Sequence, residues 1–329
     1  MMKSEPMFGI KHSYTGLFWL RTAFCYFEFL LLLHQQKTDS MPHRAGKQLT
    51  ETIAKQLERI EYFCTAENIS PNLAVHEMRK TFKRMRAVLQ FYKAFPEEFS
   101  PDFNLQIKYF GKALTHLRES HVNLQIFERI TTGNTMVPER KIRAARELFA
   151  EKNREVVEKG FFAAEGCDTI MKFTGTLASQ MVDVTLPVPS QLQFTAELED
   201  SYLKSYRIYQ NLTVFSDPEM IHDLRKKLKQ LYYQFDFIRY VHPRFFRLKT
   251  YHLNNITEQL GEDHDLFIFM TNLPENRYEF SDNELEILKN QIKRLREINR
   301  KKMFPKLKQF FTESPEIFNQ KIKTIFKIS

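Results

Sequence analysis

The sequence predicts an all-α protein made of two pseudo-symmetric four-helix bundles side by side. Three observations lead there. Glycine is sparse, nine residues in 329; apolar residues recur at steps of three and four over long stretches, and alternating strand patterns bounded by turn residues are hard to find. Two helix starts carry the same cap-then-proline signature, Ser70-Pro71 and Asp217-Pro218. There the first side chain caps the helix and proline takes the first turn, where its missing N–H is not needed. One motif is displayed twice, as His76-Glu-Met-Arg79-Lys80-Thr-Phe-Lys83-Arg84-Met-Arg86 and His222-Asp-Leu-Arg225-Lys226-Lys227-Leu-Lys229.

Residues 1–40 read as an N-terminal extension unlike the rest. Leu17 to Leu33 is an apolar run interrupted by Arg21 and Glu28, short and doubly charged for a transmembrane helix. It lacks the small-residue cleavage site of a signal peptide. Three readings stay open: residues upstream of a functional start at Met41, a membrane anchor over 17–33, or a packed accessory helix.

The first bundle is expected over 41–186. Its first helix spans about Ala45 to Glu67, with Leu49, Ile53, Leu57, Ile60 and Phe63 on one side. The second runs from the Ser70 cap to Phe95 and stops before Pro96. The third covers Phe103 to Ile130, broken by Thr132-Gly133-Asn134. The fourth starts after Pro138, is rich in Arg140, Lys141, Arg143 and Arg146, and continues toward Met181 with a kink near Gly160 or Gly166. Pro187-Val-Pro189-Ser190 reads as the linker. The second bundle, 191–329, has helices over Thr195–Asn211, Pro218–Val241, Phe246–Leu273 (before Pro274) and Asp282–Phe311, then a shorter tail. Leu117-Arg-Glu119-Ser-His121 is matched by Leu260-Gly-Glu262-Asp-His264 at nearly the separation that relates His76 to His222. Two matched landmarks argue for a duplicated four-helix unit.

The net charge is +9 and the pI about 9.2, which favours an acidic partner: nucleic acid, an anionic membrane surface or an inorganic polyanion. Three widely spaced cysteines, Cys25, Cys64 and Cys167, make neither a disulfide framework nor a zinc pattern and suit a reducing compartment. No nucleotide-binding glycine loop is present, and no cofactor or metal is called for. At about 100° per residue, His76, Arg79, Lys83 and Arg86 share one helix face, while Val75, Met78, Phe82, Met85 and Leu89 share an adjoining core face. His222, Arg225, Lys226 and Lys229 repeat the arrangement, backed by Ile221, Leu224, Leu228 and Leu231. A further ladder, Lys289, Lys293, Arg296 and Arg300, reads as half groove wall and half solubility face.

These residues resemble the CHAD family, an α-helical domain named for its histidines. Its first-half hallmark, His-x-x-Arg-x-x-x-Arg/Lys-Arg-x-Arg, is met by His76, Arg79, Lys83, Arg84 and Arg86. Its second-half hallmark, His-x-x-Arg-x-x-x-Lys-Arg-x-Arg-Tyr, is met by His222, Arg225, Lys229 and Tyr233, with Gln230 and Tyr232 replacing two cations. The later leucine-glycine and Arg-Asp element is partly kept, as Leu260-Gly261 with His264-Asp265. The resemblance covers about 45–315. It implies two helical bundles with a basic groove, binding of inorganic polyphosphate and, for some members, recruitment to polyphosphate granules in the cytoplasm. The implied site is His76, Arg79, Lys80, Lys83, Arg84, Arg86, His222, Arg225, Lys226, Lys229 and Tyr233. The triphosphate-tunnel (CYTH) domain fused to many relatives has no counterpart motif here.

Polyphosphate offers charge and no base edges, so its reader needs cations at close intervals on a rigid support. Residues three or four apart on a helix rise about 4.5–6 Å; arginine can grip phosphate oxygens in pairs, and lysine supplies a point charge. Beside a polyanion His76 and His222 are expected to hold their protons more readily, strengthening binding as pH falls. The protein is therefore expected to bind and not to catalyse. Two alternatives stand beside this reading: a nucleic-acid or acidic-protein binder, and a metal-dependent phosphohydrolase of the HD type. The latter would use His222-Asp223 and His264-Asp265 with Glu119, Glu262 and Asp263, but the first copy has His76-Glu77 and His121-Val122, so the pairs do not repeat.

Overall fold

The structure, a computed structural model, describes residues 41–92, 101–163, 165–183, 189–273 and 280–328. These form ten α-helices and no strand: α1 Met41–Thr65, α2 Pro71–Leu89, α3 Pro101–Thr131, α4 Glu139–Arg154, α5 Gly166–Asp183, α6 Gln191–Gln210, α7 Pro218–Phe237, α8 Pro243–Asn272, α9 Asp282–Phe310 and α10 Pro315–Phe326. The fold is all-α, as the sequence predicts. The run Leu17–Leu33, the stop at Phe95 and Pro96, the linker residues Pro187 and Val188, and Pro274 lie outside the described residues. Among the described residues no helix is long and apolar enough to cross a membrane.

Both predicted caps form. Ser70 Oγ accepts from Leu73 N–H at 3.4 Å and Asp217 Oδ1 from Glu219 N–H at 2.7 Å, each contributing about 1 kcal/mol. Elsewhere the boundaries differ. Ser190 makes a capping box with Gln193, so α6 starts at Gln191, ahead of Thr195 where the apolar periodicity sets in. Near the expected irregularity at Gly160 or Gly166 the fourth helix passes into a π-helical segment, Glu155–Phe162, closed by Ala163 N–H on Glu158 O at 2.8 Å. Glu165 then takes a left-handed φ of 61° and α5 begins. The C-terminal tail is itself a helix, α10, capped by Ser314 before Pro315. It buries Phe318, Ile322 and Phe326 against α6, with the Phe318 ring stacked on Tyr202 at 4.0 Å.

The duplicated helices form the centre. α2 packs on α3 and α7 packs on α8, while α2 meets α7 and α3 meets α8 across the two halves. The expected core faces are buried: Val75, Met78, Phe82, Met85 and Leu89 on α2, and Ile221, Leu224, Leu228 and Leu231 on α7. Two apolar clusters fill the interior, and each draws on both halves. The larger runs from Leu49 to Phe326, joined where Phe91 meets Phe194 at 4.8 Å and Phe237 at 5.7 Å. The smaller gathers Ile126, Phe127 and Phe149 from one half with Leu266, Phe269 and Leu288 from the other. The interior is thus continuous across the expected boundary at 186.

Equivalent positions of the repeat are locked by different chemistry. In the second half Asp263, fully buried, binds Arg296 at 3.3 and 3.2 Å and Arg300 at 2.9 and 3.1 Å. Arg300 also donates to Val214 O and Ser216 O, both at 3.0 Å, tying α8, α9 and the loop before α7. In the first half Ser120 stands where Asp263 does. Asn153 Nδ2 donates to Ser120 Oγ at 2.8 Å and exchanges hydrogen bonds with Asn72 at 2.9 and 3.1 Å.

Candidate functional site

α2, α3, α7 and α8 surround a cleft of about 1080 Å³. The pairing of α2 with α7 brings the two copies of the motif to one place: His76, Arg79, Lys80, Lys83 and Arg86 line it from α2, and His222, Arg225, Lys226, Lys229 and Tyr233 from α7. α3 adds Arg118, Glu119 and Arg129, and α8 adds Glu258, Gly261, Glu262, His264 and Asp265. Counting Lys227, ten lysines and arginines face four carboxylates.

Two expectations fail. Arg84 is not in the cleft: about 100° round the helix from Lys83, it turns to Asp236 at 3.4 Å and lies over the Tyr233 ring at 5.7 Å. Nor does the α9 ladder form a wall. Arg296 and Arg300 point inward to Asp263, Lys293 pairs with Glu286 at 3.2 Å, and neither these three nor Lys289 lines the cleft.

Some cleft cations have local acids. Lys80 pairs with Glu77 at 3.2 Å, Lys226 with Asp223 at 2.6 Å, and Arg129 with Glu262 at 2.6 Å. Others are held by hydroxyls: Arg79 Nε and Nη2 donate to Thr115 Oγ1 at 3.3 and 3.1 Å, and Lys229 Nζ to Thr257 Oγ1 at 3.1 Å. Lys83, Arg86, Arg118 and Arg225 form no ion pair among the described residues.

Crowding shows in the proton affinities. Burial, then Arg79 and Arg225, push the Lys83 ammonium down to about 7 against the pull of Asp265. Burial and Arg225 push Lys229 down to about 8. Burial also lowers Arg79, Arg86 and Arg118 from the usual guanidinium range. His76 falls to about 4 through burial and Arg118. His222 and His264, stacked at 3.8 Å, fall to about 4 through burial, with His264 acting on His222 and Arg225 on His264. In the unliganded protein the histidines are therefore neutral near pH 7, and the pH response expected of them starts from a far lower value. Tyr233 is a wall residue, almost wholly buried, its phenol pushed up to about 12 by burial and its ring 5.9 Å from Lys229.

Reading along the chain missed Arg118, Arg129, Gly261 and Asp265 as cleft residues, because only the packing of α3 and α8 brings them there. Their signal was the matched Leu117 and Leu260 elements, which place both helices at equivalent points of the repeat. Asp263, entertained as a metal ligand, is consumed by its two arginines. Among the described residues no group of three or more His, Cys, Asp or Glu side chains is arranged to hold a metal ion.

Comparison with curated proteins finds no match. Among solved structures, the chain is similar to the crystal structure of the CHAD domain from the plant Ricinus communis. The TM-score is 0.56 at 14% identity, over 88% of this chain and 92% of that one. The model of the CHAD domain family matches residues 51–274, a span that contains both His-led helices and every cleft residue named above. By that match, and with the fold to agree with it, the chain belongs to the CHAD domain family.

Proposed function

We propose that this chain binds inorganic polyphosphate in a basic groove, the cleft between α2, α3, α7 and α8, and that it does so without catalysis. One observation carries the reading: two copies of a cationic helix converge on one concavity, and Lys83, Arg86, Arg118 and Arg225 stand there without an ion pair among the described residues. Like charges held together in a partly desolvated space raise the energy of the empty cleft, and a string of phosphates relieves it. Each contact is weak in water, so affinity comes from many contacts and from released counterions. Such binding would recruit the protein to polyphosphate granules.

The test is a titration with long-chain polyphosphate at two salt concentrations, repeated with Arg79→Ala/Lys83→Ala. Binding that weakens steeply with salt, and weakens again in the double variant at unchanged helicity, supports the reading. Equal or tighter binding of single-stranded nucleic acid at matched charge would replace it with the nucleic-acid alternative. Phosphate release by metal-loaded protein would replace it with a hydrolase.

A further inference from the structure

Arg79 and Arg225 occupy matching positions of the repeat, yet they are held in opposite ways. Arg79 gives Nε and Nη2 to Thr115 on α3. Among the described residues the buried Arg225 Nε has no hydrogen-bond partner and the side chain makes no ion pair. What lies against it is Gly261 of α8. A Cβ built on that glycine would fall 3.1 Å from both Nε and Nη2 of Arg225 and 3.5 Å from Cζ, so the guanidinium rests on the bare helix backbone. Where α8 has Gly261, the matching position of α3 carries Arg118.

We infer that Gly261 is a positioning residue: by having no side chain it seats the Arg225 guanidinium against α8, uncommitted to any protein acceptor, and so makes Arg225 the anchoring cation for a phosphoryl group in the cleft. The inference rests on the polyphosphate reading and deepens it. A planar guanidinium grips phosphate oxygens in pairs only when its plane and distance are fixed. A methyl group at 261 would not remove a charge; it would tilt or push the fork by a few tenths of an ångström. Arg225 is also central to the cleft's field, acting on Arg79, Lys83, Lys229, His222 and His264 alike. The second half, whose motif keeps fewer cations than the first, thereby supplies the firmest grip.

The test is a double-mutant cycle of Gly261→Ala and Arg225→Ala, read by calorimetric titration with long-chain polyphosphate and by thermal melting. Alanine is a better helix former than glycine, so Gly261→Ala is expected to keep or raise the melting temperature. Affinity is expected to fall about fivefold, since a tilted fork weakens a charge-assisted contact without abolishing it. In the Arg225→Ala background the same substitution should leave affinity unchanged, which a glycine needed only for packing α7 on α8 would not do. Wild-type affinity in Gly261→Ala, or an equal loss in both backgrounds, overturns the role of Gly261 while wild-type binding upholds the function. Absence of binding by the wild-type chain overturns the functional reading and this inference with it.

Discussion

Polyphosphate binding should be accompanied by proton uptake, because Lys83 and Lys229 sit at about 7 and about 8 in the empty cleft. Phosphates packed against both ammonium groups return them to their charged form. At pH 8 Lys83 is about nine-tenths neutral and Lys229 about half neutral, so binding takes up about 1.4 protons; at pH 7 the figure is about 0.6. Integrated over that interval, affinity falls about tenfold as the pH rises from 7 to 8. The sign follows from binding raising both pKa values: the liganded state holds more protons, so acid favours it. In the ligand-free protein the depressed lysines work the other way, since the unfolded chain holds those protons more tightly and their contribution to stability rises with pH from about 7 until the unfolded lysines themselves deprotonate near 10.5. The assay is calorimetry in two buffers of different ionisation heat, with long chains so that terminal phosphate groups are few. Lys83→Met should remove about 0.9 of a proton at pH 8. Uptake near zero in the wild type, or unchanged in the variant, would refute the picture of an electrostatically strained lysine.

Three further outcomes are expected. Asp263→Ala leaves Arg296 and Arg300 buried without their carboxylate and should destabilise the fold by about 3–5 kcal/mol, read in denaturant unfolding. Arg84→Ala should change polyphosphate affinity by no more than about twofold, since its charge is paired outside the cleft; a loss as large as that of Arg225→Ala would place Arg84 back in the site. Phe318→Ala, which empties the seat beneath Tyr202, should cost about 3–5 kcal/mol of stability and leave affinity untouched.

Features that depend on neighbours along the chain could be read from it. The caps at Ser70 and Asp217 are local chemistry, and the His-led ladders needed only helical spacing to be placed on one face. The direction of each cation was harder, because it depends on which helix arrives opposite. Arg84 and Lys83 are adjacent and chemically alike, yet one meets Asp236 on α7 and the other faces the cleft. The α9 ladder has ideal spacing for a surface stripe, and only the buried Asp263 of α8 turns half of it inward. The histidines depend on their surroundings in a related way: their own helix suggests a polyanion's partner, whereas in the empty cleft burial first, then Arg118 for His76 and His264 for His222, lowers their proton affinity. α10 was legible and overlooked, since Ser314-Pro315 repeats the signature of Ser70-Pro71.

The mismatch between Ser120 and Asp263 means that the two halves of this molecule are relatives but not interchangeable parts. A transplant of α3 into the berth of α8 would leave Arg296 and Arg300 facing a hydroxyl, with two enclosed positive charges and no counter-ion. The reverse graft would bring a carboxylate to a pair of asparagine amides that have no positive charge to offer it. At one residue on each side the two halves are thus committed to different companions, and hybrid chains built from one half repeated should assemble only where that residue travels with its companions.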